Sequence, residues 1–492
     1  MAKNSLCLLV HIMLYLFLFT SCYAFEEREK TAEMTTTTHH DDHHQLHHPT
    51  HTIQLSSLLP SILCDSSSKA DERKSSLKVV HKHGPCSQLN QDKAKSPSHV
   101  EILRQDQSRV DSIHSRVSKN SGRSGDIKET DAANIPAKDG SVVGSGNYVI
   151  TVGLGTPKKD LSLIFDTGSD ITWTQCQPCV TSCYQQKEPK FDPRVSKTYG
   201  NISCSSSLCG SLESATGNTL ACKQSTCVYG IQYGDSSFSI GFFGKETLTL
   251  TPTDVIPNFL FGCGQYNRGL FGGAAGLLGL GRDPLSLVSQ TAQKYNKLFS
   301  YCLPSSSGTT GHLTFGNGGG GVSKSVKFTP LSTITQSSSF YGLDVAGISV
   351  GGKKLSIPAS VFSSSGTIID SGTVITRLQP TAYSSLRSAF RQMMSAYPTA
   401  PALSILDTCY DLSKYKTVTV PTISFSFGGG TEVSIDKLGI FYANSLSQVC
   451  LAFAANSDDS DVAIFGNVQQ KTMEVVYDVA GRRVGFAPGG CR

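Results

Sequence analysis

At 492 residues the chain is too long for one ordinary domain and points to two or three compact units. Its 43 Lys+Arg against 38 Asp+Glu leave a mild net charge of +5, and its 13 histidines are placed very unevenly. Seven fall between His39 and His51, and beyond His114 only His312 remains, which argues against a Ser-His-Asp or Cys-His enzyme, or a His-ligated metal, in the C-terminal part.

The N-terminus reads as an address. Lys3 precedes an apolar run from Leu6 to Phe19, and Cys22-Tyr23-Ala24 offers a signal peptidase site, so residues 1–24 are expected to be a signal peptide. The run is short for a membrane span. The tract "HHDDHHQLHHPTH" could bind metal ions, but a polar low-complexity stretch of this kind also reads as simple disorder. Residues 25–140 are polar and mostly aperiodic, with little core of their own. Two exceptions stand out: "LKVVHKHGP" reads as a short strand ended by Gly-Pro, and "VEILRQDQSRVDSIHSRV" as a helix. In that helix Val100, Ile102, Leu103, Val110, Ile113 and Val117 form an apolar stripe, with charge expected on the opposite side.

From Tyr148 onward the chain becomes short apolar runs separated by Gly, Ser, Pro and Asp turns, the pattern of an all-β architecture. Helices are expected only near residues 285–295 and 381–394. Of 16 cysteines, Cys7 and Cys22 lie in the signal-like stretch and Cys64 and Cys86 in the polar segment. The other twelve are Cys176, Cys179, Cys183, Cys204, Cys209, Cys222, Cys227, Cys263, Cys302, Cys409, Cys450 and Cys491. An even number suits six bridges in an oxidising compartment, with connectivity open; zinc at Cys176, Cys179 and Cys183 is the competing reading.

Two stretches share one grammar. "LIFDTGSDITW" carries Asp166 between apolar runs, and about two hundred residues later "GTIIDSGTVITRL" carries Asp370 in the same way. Each is followed much later by an apolar run ending in Gly, "GLLGLG" at residues 276–281 and "AIFGNV" at 463–468. Duplication of the whole unit implies two homologous lobes, each giving one Asp to a shared cleft. Two carboxylates so close cannot both ionise easily; they share a proton and supply a base and an acid together. Such a pair activates water without histidine, metal or any other cofactor. As lone triplets, both aspartates could instead be turn residues or helix caps.

In combination and order, "FDTGSDITW", "YGDSS", "GLLGLG", "IIDSGT", "IFGN" and "RVGFAP" resemble the pepsin-type aspartic proteases, in particular the plant branch of nepenthesin and the chloroplast nucleoid DNA-binding protease. The resemblance implies an all-β, bilobal fold with two homologous β-barrel-like lobes and a central cleft. It implies an aspartic endopeptidase, made as a zymogen and acting as a monomer on protein or peptide substrates. Residues 25–140 would be a propeptide, 141–325 the N-terminal lobe with a cysteine-rich insert at 176–227, and 326–492 the C-terminal lobe.

Carried over by motif, Asp166 and Asp370 would be the catalytic dyad. Thr167 and Ser371 would tie the triplets together, Gly168 and Gly372 would keep the approach open, and Ser169 and Thr373 would bond the outer carboxylate oxygens. Tyr233, Gly234 and Asp235 would form the flap over the substrate, supported by Trp173. Bland readings stand beside these: Trp173 as plain core, Tyr233-Gly234-Asp235 as an ordinary hairpin turn, and the propeptide as a spacer. Ser371 and the following "VITRL" depart from animal pepsins and are usual in the plant branch. Some relatives have lost an Asp and only bind, whereas both are present here. Residues 141–492 hold 26 Lys+Arg and 21 Asp+Glu, so gastric-type acid stability is not implied.

A basic propeptide could lie across the dyad at neutral pH and leave as the carboxylates protonate. The chloroplast resemblance also raises DNA binding through residues 65–125, with 12 Lys+Arg and 7 Asp+Glu, but these charges are interspersed and lack aromatics. Asn201 opens a glycosylation sequon, and the terminal "GGCR" offers no apolar tail for a lipid anchor. Secretion is the expected route, with vacuole and chloroplast as alternatives.

Overall fold

The structure, a computed structural model, describes residues 48–65, 74–89, 97–120, 148–233, 237–269, 271–318, 323–333 and 339–491. The signal-like stretch, most of the histidine tract, Gly234 and Asp235 lie outside these residues. The chain is mostly β, with two helices longer than two turns, His99–Asn120 and Pro380–Met393, among the described residues. The expected helix near 285–295 is two short pieces, Leu287–Gln290 and Ala292–Tyr295, split where Thr291 leaves helical geometry.

The duplication seen in the sequence is a duplication of strand pairing. In the first half Tyr148–Leu154 runs antiparallel to Lys159–Asp166, which runs parallel to Gly276–Gly279; that strand is antiparallel to Trp173–Gln175, which is parallel to Asp254–Arg268. In the second half Tyr341–Leu343, Thr367–Ile369, Ala463–Phe465, Thr376–Leu378 and Phe453–Ala455 repeat that order with the same directions. The apolar strand that leads to the repeated Gly in each half, Gly279 or Gly466, therefore inserts between the two arms of its Asp turn. A Cβ on Gly279 would lie 2.1 Å from the Asp170 carbonyl oxygen, and one on Gly466 would lie 2.8 Å from the Ile375 carbonyl carbon. Only glycine allows this approach.

The two halves share a long sheet. Its strand order passes from Lys327–Pro330 through Arg483–Ala487, Glu474–Asp478, Leu298–Cys302, Thr310–Phe315 and Ser76–His81 to Tyr148–Leu154 and the rest of the first half. The last two strands of the chain thus pair beside first-half strands. His312 is not in a loop, as its Gly- and Thr-rich surroundings imply, but on Thr310–Phe315, 1% exposed and 2.8 Å from Glu474 of the strand Glu474–Asp478.

The described parts of the segment before residue 120 pair and pack with this body. Ser76–His81 pairs with Thr310–Phe315 on one side and Tyr148–Leu154 on the other. Thr50–Gln54 pairs with Thr417–Pro421. The long helix His99–Asn120 buries Leu103, Val110 and Ile113, each contributing roughly 1.5–3 kcal/mol of apolar burial. Val110 and Ile113 pack with Phe340, Ile368, Val462 and Ile464. Two sequence readings are corrected here. Val100 is 52% exposed, and the helix does not hold all its charge opposite the apolar stripe: Asp106 and Arg109 face inward with Ile113, at helical spacings of three and four.

All twelve later cysteines pair among themselves: Cys176–Cys263, Cys179–Cys183, Cys204–Cys222, Cys209–Cys227, Cys302–Cys491 and Cys409–Cys450. This occupies the thiols that the zinc reading needs. Cys64 pairs with Cys86, so no bridge among the described residues joins the early segment to the body. Asn201 is exposed, and its side-chain oxygen accepts a 2.6 Å bond from the Tyr199 hydroxyl. No helix among the described residues is long and apolar enough to cross a membrane.

Candidate active site

Asp166 ends the strand Lys159–Asp166, and Asp370 follows Thr367–Ile369 in the matching place. Both are essentially fully buried, at 1% and 0% exposure. The turns beneath them are cross-tied: the Ser371 backbone N–H donates to Thr167 Oγ1 at 2.9 Å, and the Thr167 N–H donates to Ser371 Oγ at 3.1 Å. Within each turn a backbone N–H meets its own carboxylate, Gly168 to Asp166 Oδ1 at 2.9 Å and Gly372 to Asp370 Oδ1 at 3.0 Å. A Cβ on Gly168 would stand 2.7 Å from Asp370 Oδ1, and one on Gly372 2.6 Å from Asp166 Oδ1. Each glycine therefore clears the space into which the opposite carboxylate reaches. Gln470 Nε2 donates to the Asp370 carbonyl oxygen at 3.2 Å, and Asn467 Nδ2 to that of Ser371 at 3.0 Å, bracing the second turn.

The outer oxygens are not treated alike. Thr373 Oγ1 donates to Asp370 Oδ2 at 2.6 Å. Ser169 does not make the equivalent bond to Asp166: its buried Oγ has no hydrogen-bond partner. Arg109, from the long helix, places Nη2 at 2.6 Å from Asp166 Oδ1 and Nη1 at 3.2 Å from Asp166 Oδ2. The same guanidinium reaches the other carboxylate, with Nε at 2.9 Å from Asp370 Oδ2 and Nη2 at 3.0 Å from Oδ1.

One cation thus spans both carboxylates. Burial disfavours the Arg109 cation, but the two carboxylates more than offset this and hold it charged. Burial raises Asp166 above the ordinary carboxylate range, against the pull of Arg109 and with repulsion from Asp370 adding to the rise. Burial pushes Asp370 the same way, but Arg109, the Thr373 hydroxyl and the Gly372 N–H together hold it low.

Beside Asp166 lies a cavity of about 50 Å³ lined by Ile164, Ile231, Tyr233, Phe271 and Leu277, into which Ile113 of the helix reaches. Tyr233 closes one side, its hydroxyl accepting a 2.8 Å bond from Trp173 Nε1. Trp173 is fully buried, as a core residue is, and its indole N–H also meets Tyr233. Removing the acceptor by Tyr233→Phe would leave a buried indole N–H alone, a cost of about 1–2 kcal/mol. Trp173 is the only tryptophan in the chain, so the emission of this one residue during urea unfolding should show the lowered midpoint directly.

Arg109, Asp106 and Gln470 were not singled out in the sequence. The signal for the first two was present: Ile102, Asp106, Arg109, Ile113 and Arg116 recur at steps of four and three, the spacing of one helix face. Arg116 also reaches the site, its Nη1 donating to the Gly168 carbonyl oxygen at 3.2 Å.

Comparison with known proteins places this geometry among relatives. Residues 148–317 match the family described as Xylanase inhibitor N-terminal, and residues 340–488 the family described as Xylanase inhibitor C-terminal. An aspartyl protease family protein of Arabidopsis thaliana is 64% identical over 443 residues, covering 90% of this chain and 93% of its own. Aspartic proteinase nepenthesin-2 of Nepenthes gracilis is 37% identical over 356 residues, covering 71% of this chain and 78% of its own. The crystal structure of Basic 7S globulin from soybean superposes with a TM-score of 0.56 at 22% identity, covering 70% of this chain and 91% of that one, a likeness of fold.

Proposed function

Because the chain belongs to the pepsin-like aspartyl protease family of plants, we propose that it hydrolyses peptide bonds with Asp166 and Asp370 and is made as a latent precursor in which Arg109 occupies the dyad. The observation that carries this is the single guanidinium bonded to both buried carboxylates. A substrate amide and its attacking water need the same oxygens, so the two states exclude each other.

With the helix gone, the carboxylates would share one proton. A water held between them loses a proton to the ionised carboxylate as its oxygen bonds to the peptide carbon. The protonated carboxyl gives its proton to the carbonyl oxygen, forming a neutral gem-diol. Return of a proton to the amide nitrogen then lets the C–N bond break. The apolar cavity beside Asp166 would take an apolar side chain next to the bond cut. The inhibitor description of the family profiles is not carried over, because both carboxylates stand in place. Of the cations raised for DNA binding, Arg109 and Arg116 are engaged within the site and Lys82 is 3% exposed, whereas Lys74, Lys78 and Arg104 are exposed. Entry into the secretory route agrees with seven disulfides.

Release has a pH trigger with a definite sign. Burial, with the charges of Lys82 and Lys471 adding, holds the His81 imidazole well below its ordinary value, and burial with Lys82 does the same for His83. Both rings are neutral while the segment is docked. As pH falls through the free imidazole value of about 6.5, the undocked segment takes up protons that the docked one does not, and docking weakens. Asp370, held low in the docked state, acts in the same sense at lower pH; Asp166 and Asp106, raised by burial, act in the opposite sense. The imidazoles are met first on acidification. Full-length protein incubated from pH 7 to pH 3 should therefore begin to shorten and to cut a denatured protein below about pH 6, with the onset moved down when His81 and His83 are both changed to Gln. Intact length and no cleavage across the whole range would defeat the reading.

A further inference from the structure

One helical turn before Arg109, Asp106 is fully buried and held as a bound carboxylate would be. Its Oδ1 accepts the Val374 backbone N–H at 2.6 Å, its Oδ2 accepts that of Ile375 at 3.1 Å, and Oδ2 lies 3.0 Å from Arg377 Nη2. The cradle is made entirely by the body of the protein, within seven residues of Asp370, whereas its occupant comes from the helix. Arg377 itself is 0% exposed. Its Nη1 donates to the Ile375 carbonyl oxygen at 2.9 Å, its Nη2 makes a long 3.4 Å contact with Gln107, and its Nε has no partner. The carboxylates that act on its charge, Asp106 and Asp111, both lie on the helix.

Removing the helix would therefore strip Arg377 of its counter-charge and open two adjacent N–H groups beside the dyad. A guanidinium with two converging amide donors is a carboxylate receptor. We propose that in the mature enzyme this cradle is a specificity subsite for an acidic side chain, Asp or Glu, of the polypeptide being cut, with Arg377 as the specificity-determining residue. The inference rests on the precursor reading given above. Asp106 and Arg109 are three residues apart on a helix, about 4.5 Å along its axis, and an extended substrate advances about 3.3 Å per residue. The acidic side chain would thus stand one or two residues from the cleaved bond, always on the same side of it. The apolar cavity beside Asp166 and this cradle beside Asp370 would then read different positions of one substrate.

The test uses acid-matured enzyme and a peptide library made from a digested proteome, followed by matched peptides differing only by Glu against Gln, or Asp against Asn, at the selected position. At pH 5.5 the acidic member of each pair is expected to be cut with a kcat/KM about tenfold or more above its amide partner. The ratio should fall toward one as pH drops through about 4, where the substrate carboxyl protonates; a site that reads only shape would show no such change. It should also collapse in R377Q, prepared alone and, because the single variant would leave Asp106 buried without its partner, as D106N/R377Q. Equal cleavage of acidic and amide partners by the unmodified enzyme, or a ratio untouched in both variants, would overturn the assignment of Arg377 while leaving the protease reading in place. Failure of the matured enzyme to cut any peptide would overturn the protease reading and this subsite with it.

Discussion

Asp370→Asn in the matured enzyme is expected to lower kcat on a denatured protein by roughly ten-thousandfold or more between pH 3 and 6, because the substitution removes both the base and the acid that one shared proton provides. The fold should survive the change. Asn keeps an oxygen for the Gly372 N–H, which donates at 3.0 Å, and the Thr373 hydroxyl, now 2.6 Å from Oδ2, can turn to accept from the new amide. The cross-tie between Thr167 and Ser371 does not involve the carboxylate at all. The variant has to be matured in trans, since it would lack the activity to process itself. Trp173 emission, reporting from the other side of the site, provides the check that it is folded. Cleavage at the unmodified rate would mean that the dyad is a structural turn and that catalysis lies elsewhere.

Arg109→Gln is expected to abolish latency. Breaking a buried ion pair by removing one partner costs about 3–5 kcal/mol, and here one side chain serves two carboxylates whose exposures are 1% and 0%. Proton sharing between the carboxylates recovers part of that cost, so the docked helix should lose something like a hundredfold in its equilibrium over the undocked form. Precursor carrying this change should cut substrate at pH 6, where the unmodified precursor is silent, and should shorten sooner on acidification. Because the contact is buried, added salt should not reproduce the effect. Latency undiminished in the variant would assign the hold to Asp106 and the apolar face of the helix instead.

How far the sequence could be read depended on whether its signal was local. The dyad was legible because each half spells out an Asp turn with its own glycine and hydroxyl residues, and because the later glycine strand is repeated with it. That Tyr233 and Trp173 meet was implied by the same resemblance. The place of the early segment in the fold was not legible. "THTIQ" lies at the edge of a histidine tract and becomes a strand only by pairing with Thr417–Pro421, more than 350 residues away in sequence. Arg109 looked like one more solvated charge on an amphipathic helix, because a helical pattern does not say what the buried face will meet. The cysteine count implied six late bridges, while their partners depended on a fold that spacing alone does not specify.

The pairing of Ser76–His81 between Thr310–Phe315 and Tyr148–Leu154 bears on what a single backbone cut would accomplish. Severing the chain anywhere between residues 120 and 148 leaves that strand zipped to neighbours on both edges and leaves the helix seated, with no disulfide among the described residues to tether either. The product of the cut would be a noncovalent two-chain complex. Its dissociation would follow the law of mass action, so that the excised piece acts as a free inhibitor whose hold depends on how concentrated it is. Crowded inside a vesicle the two chains would stay together; spilled into a large volume they would part, and dilution itself would become the final step of switching on.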